Sequence, residues 1–75
     1  MTLYQATNHS HLKVLGISDD WTTRRSLNQM GLYAGDRLRV LRKAPFGGPL
    51  VVRSQHGQVA ISKQLAEKIR VEVIA

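Results

Sequence analysis

The chain contains no cysteine. That excludes a disulfide framework and any thiolate zinc site, and it agrees with a reducing, cytoplasmic setting. Seventy-five residues make one domain, 1–75. A domain of this size buries only about 60% of the surface its unfolded form exposes. Without staples, its stability rests on a thin apolar core and on backbone hydrogen bonds, roughly 3–5 kcal/mol in all. Aromatic side chains are few: Tyr4, Trp21, Tyr33 and Phe46. Acidic side chains are also scarce, five against eleven Lys and Arg, for a formal charge of +6. Such an excess draws a small protein towards acidic protein, anionic lipid or nucleic acid. No apolar run approaches the roughly 18–20 residues that cross a bilayer. The start, Met1 to Gln5, has neither a basic nor an apolar signal region, so a secretory leader is not expected.

Catalytic machinery is missing in the same way. There is no Gly-x-Ser-x-Gly elbow and no glycine loop ending in Lys-Ser or Lys-Thr. The adjacent acids Asp19 and Asp20 suit a helix N-cap better than general acid–base work. The expectation is a protein that binds and does not catalyse.

What is present is short and β-rich. Residues 1–11 are weakly patterned and can join the first strand region. Leu12–Ile17 reads as a strand, and Ser18-Asp19-Asp20 supplies cap and dipole chemistry for a helix over Trp21–Met30. Trp21, Leu27 and Met30 are placed together on that helix's core side. Gly31 stands where a helix ends in a left-handed residue. Gly35 fits the third position of a type II turn. Arg37–Arg42 alternates as a half-buried strand, with Leu38 and Val40 inward. The Ala44–Pro49 stretch is a loop. Leu50–Arg53 and Gln58–Ser62 form a hairpin turned at His56-Gly57. Lys63–Glu67 has room for one helical turn. Ile69–Val73 alternates, with Ile69, Val71 and Val73 expected inward. Five antiparallel strands with one helix after the first predict an all-β protein, a small closed barrel whose closure hides strand edges.

Three blocks carry a family resemblance. The first is Arg25-x-Leu27-x-x-Met30-Gly31-Leu32-x-x-Gly35-Asp36-x-Leu38-x-Val40-Leu41. The second is Ala44-Pro45-Phe46-Gly47-Gly48-Pro49-Leu50-Val51-Val52. The third is Val59-Ala60-Ile61-Ser62-x-x-Leu65-Ala66-x-x-Ile69-x-Val71. In order and spacing they resemble the FeoA family of ferrous iron transport proteins, over roughly residues 12–74. Two departures stand out: Ala34 replaces the proline usual before Gly35, and Asn8-His9-Ser10-His11 replaces a glycine turn. The resemblance implies an SH3-like barrel. It also implies a cytoplasmic accessory role beside FeoB, the membrane GTPase of ferrous iron uptake, at the inner face of the membrane when bound.

Candidate sites follow from residue chemistry. In the Pro45-Phe46-Gly47-Gly48 loop, Phe46 is either a docking anchor or a lid folded over the barrel's open end. Arg24 and Arg25 on the helix, with Arg37, Arg39, Arg42 and Lys43, make either a basic docking face or an ordinary solvated surface. A nucleic-acid-binding barrel is the alternative function, weakened by the lack of aromatics interleaved along the strands. His9 and His11 would project together if their segment were extended. With His56, Asp19 or Asp20 they could hold a divalent transition metal weakly, or all be solvated; no cofactor is required.

Overall fold

The computed structural model describes residues 1–18 and 20–74. Five strands alternate with two short helices: β1 (His11–Ile17), α1 (Trp21–Gln29), β2 (Arg37–Lys43), β3 (Leu50–Ser54), β4 (Gly57–Ile61), α2 (Lys63–Ala66) and β5 (Ile69–Val73). All pairings are antiparallel, in the order β4-β3-β2-β1-β5. The all-β expectation, with one helix after the first strand, therefore stands. Hydrogen-bonded closure does not, because among the described residues no ladder joins β4 to β5. The chain between those strands is spent on the α2 turn. Ser62 caps this turn by accepting from the Leu65 amide, and Ala66 is buried.

The sheet curls through two bulges. Leu15 is the extra residue between the pairs Val14–Val71 and Gly16–Arg70, and Leu41 the extra one between Val40–Val52 and Arg42–Val51. A bulge inserts one unpaired residue and bends its strand. It also shifts the alternation: Leu15 is exposed, in phase with His11 and Lys13, whereas Ile17, of the same parity, packs on the core. Facing pairs fill the interior: Leu12 opposite Leu38, Val14 opposite Val71, Val40 opposite Val52 and Leu50 opposite Ile61. On β5, Ile69 and Val71 are buried as expected. Val73 is 58% exposed, since it lies past the last β5 position that the core covers.

Residues 1–11 are more structured than their composition suggests. Leu3–Gln5 is a turn of 3-10 helix, and Leu3 and Ala6 belong to the buried core. The Met1 carbonyl accepts from the Val71 amide at 2.9 Å, and Thr2 bridges Arg70. The first residues thus lie along β5, while His11 opens β1 and, just before it, the His9 amide donates to the Val40 carbonyl and the Ser10 carbonyl accepts from the Val40 amide. His9 has φ +67, so His9 and His11 do not sit on one extended stretch.

Helix α1 starts at Asp20, whose carboxylate accepts from the Thr22 amide and from the Thr23 hydroxyl at 2.7 Å. Asp19, the other expected cap and metal candidate, lies outside the described residues. The helix ends as its sequence indicates: Gly31 takes φ +88, its amide donates to the Asn28 carbonyl, and the Leu32 amide donates to Leu27. Those two bonds satisfy orphan carbonyls of the last turn. Thr23 and Leu27 face the core, but Trp21 is 66% exposed. Trp21 stands two residues before Thr23, about 200° round a helix of 3.6 residues per turn. Its expected core role is therefore wrong, and Arg25 lies over its ring at 5.4 Å.

Candidate docking surface

The β2–β3 loop is built by close contacts in its own backbone. The Ala44 amide donates to the Pro49 carbonyl at 2.9 Å, which clamps the base, and the Gly48 amide donates to Pro45 at 3.2 Å. Phe46 and Gly47 both have positive φ, +60 and +74, the sign pattern of a type I′ turn. Gly48 is required by space, because a β-carbon there would meet the Ala44 β-carbon at 2.8 Å. The outcome at Phe46 is unambiguous. It is 103% exposed, which overturns the lid reading. A bulky side chain in the left-handed region is a genuine outlier, and such strain clusters at binding sites.

Beside this loop, the Lys63 side chain approaches Gly47. Lys63 and Lys43 both lie near the Tyr4 ring, at 5.6 and 4.6 Å, and the Lys43 ammonium donates to the Tyr4 carbonyl. The N-terminal segment, the β2 end and α2 are thereby joined under the loop.

The six expected basic residues do not form one face. Arg37 and Arg39 line a cleft on the outer side of the sheet, Arg24 lines a second cleft with Asn28, Tyr33 and Arg70, and Arg25 covers Trp21. Lys43 turns to Tyr4. The first cleft also holds His11, Lys13, Arg53 and Glu72. Lys13, Arg53 and Glu72 were not singled out in the sequence. Their outward position was readable from the apolar neighbours Leu12, Val14, Val52 and Val71, whereas the register that gathers them was not.

The metal candidates stay apart. His11 is in that outer cleft, and His56 stands in the β3–β4 turn against Gly31. Among the described residues, no three His, Cys, Asp or Glu side chains are grouped to hold a metal ion. The Asp20 carboxylate lies below the ordinary aspartate range, chiefly because the Thr23 hydroxyl donates to it, with smaller help from the Thr22 amide and Lys68 against some desolvation. Its role is to cap α1. No helix among the described residues is long and apolar enough to cross a membrane.

A small curled sheet of five antiparallel strands with two short helices defines a domain of the SH3-like class. Against protein-family models, the chain matches the FeoA domain over residues 1–73. An FeoA-like protein from Clostridium acetobutylicum superposes with a TM-score of 0.91 at 31% identity, over 100% of this chain and 87% of that one. A crystal structure described as an iron uptake regulatory protein (FeoA) gives 0.90 at 27% identity, covering 99% and 97%. A manganese-dependent transcriptional repressor in complex with manganese gives 0.90 at 26% identity, with 99% of this chain on 36% of the repressor. Comparison with curated protein sequences gave no match. The chain belongs to the FeoA family. Membership implies a role in ferrous iron transport, in a family of small accessory domains.

Proposed function

We propose that this protein is a non-catalytic accessory of ferrous iron uptake that docks through the Phe46 loop onto the cytosolic side of the FeoB membrane GTPase. The partner comes from the family resemblance. The docking element rests on one observation: Phe46 is fully exposed on a loop whose backbone is held in a conformation unfavourable to it. An aromatic carried on a pre-set backbone spares the cost of ordering the loop on binding and can fill a partner pocket. The exposed Trp21–Arg25 pair offers a second anchor of the residue types enriched at interfaces. A nucleic-acid role is less well supported, because among the described residues no Phe, Tyr or Trp lines the basic outer cleft.

The test is retention of the protein by immobilised cytosolic domain of the transporter, measured without nucleotide and with GDP or GTP. Wild type is expected to be retained in at least one state, and Phe46→Ala to lose retention while keeping its circular dichroism and melting point. Absence of retention in every state, or undiminished retention of Phe46→Ala, overturns the proposal.

A further inference from the structure

The outer face of the sheet has an arrangement that folding does not explain. Across β3, β2 and β1, Arg53 faces Arg39 and Arg39 faces His11; one row along, Arg37 faces Lys13, which in turn faces Glu72 on β5. Directly opposed like charges destabilise a sheet, yet Arg39–Arg53 and Arg37–Lys13 are both such pairs. Together these side chains line a concavity of about 540 Å³, with Ser54 and Ile74 at its margin. Four cations and a histidine line it, with one carboxylate, Glu72, at its β5 edge.

From this geometry we infer that the cleft binds an extended acidic segment of a partner protein. The spacing supports it. Arg37 and Arg39, like His11 and Lys13, are two residues apart on one face of a strand, about 6.7 Å at two strand rises. An extended peptide with acids at alternate positions presents carboxylates at the same interval. Arg39, in the middle of its row, can meet such a carboxylate with a paired donor fork. The lone Glu72 offers an acceptor to peptide amides, and the half-exposed Ile74 an apolar contact. A planar bilayer would touch only the rim of a concave site. A single-stranded nucleic acid stacks best on Trp, Tyr and Phe, and among the described residues none of these lines the cleft. This surface is separate from the Phe46 loop, so either can fail without the other.

Fluorescence anisotropy on the full chain tests it, with a synthetic peptide of alternating Glu and Thr as probe. A second peptide of equal composition, with its glutamates contiguous, tests the spacing. The alternating peptide is expected to bind more tightly, to weaken with added salt, and to lose at least about tenfold in affinity on Arg39→Glu or Lys13→Glu, as loss of a central charge partner does. Lys68→Glu makes the same change in net charge at an exposed position outside the cleft and is expected to leave binding intact. Arg39→Ala, which cannot introduce new repulsion, should weaken binding in the same direction with unchanged circular dichroism. Lack of binding, equal affinity for both peptides, equal loss with Lys68→Glu, or preference for single-stranded RNA or phosphatidylglycerol vesicles each overturns the assignment.

Discussion

The two sides of the same strands differ in what they are for. Inward, Leu12, Val14, Leu38, Val40, Val52 and Val71 are almost wholly buried, and each meets an apolar partner across the ladder. Outward, His11, Lys13, Arg37, Arg39 and Arg53 meet one another. One residue along the chain separates side chains that hold the domain together from side chains that mildly push it apart. Stability and recognition are thus carried by alternate positions, and substitution can address them one at a time.

The sharpest break in that comparison is expected from the inner face. Leu12→Ala removes a fully buried side chain, a loss of about 2–5 kcal/mol for core leucines. In a domain holding only roughly 3–5 kcal/mol, urea denaturation should show a large fraction unfolded before denaturant is added. A smaller effect of opposite sign is expected at the loop. Phe46→Gly relieves a left-handed backbone and should raise stability by about 0.5–1 kcal/mol, allowing for the greater freedom of glycine in the unfolded chain. The same variant should lose partner retention, so a melting point that rises while docking falls would separate function from folding. On the outer face, Arg39→Ala removes repulsion from His11 and Arg53 and should stay within about 0.5 kcal/mol of wild type, on the stabilised side. A marked loss of stability there would mean that the outer face also holds the sheet together.

The smallest expected effect lies at the exposed cap of α1. Asp20 is held below its ordinary range in the folded protein. Its carboxylate therefore contributes stability above the unfolded value, and that contribution is lost as the pH falls through the lowered folded value. Asp20→Asn keeps a capping oxygen and removes the titration. Melting points measured down through the acid range should fall less steeply for this variant than for wild type.

Period-two alternation on β2 and glycines at Gly31 and Gly35 were enough to place strands, helix stop and turn, because those signals are local. Three features escaped for reasons that are not local. The bulges at Leu15 and Leu41 are properties of a pair of strands, so an apolar run gave no sign that Ile17, out of phase with Leu12 and Val14, would pack on the core. Leu3 and Ala6 are too few to make a pattern and are buried only because β5 and α2 come to them. The site was half legible. The glycines and prolines marked the loop, but the fate of Phe46 depended on whether any surface lay beneath it. The cationic cleft needed the register that sets Arg39 between His11 and Arg53.

The hold of Met1 and Thr2 on β5 has a consequence for assembly. A terminal strand with free amides and carbonyls is a template on which another chain can grow, whether a partner or a second copy. Here the first residues already occupy part of that rim, through the Val71 amide and the Thr2–Arg70 bridge. Their removal would open it to intermolecular ladders, so trimming the amino terminus should promote self-association in addition to thinning the core.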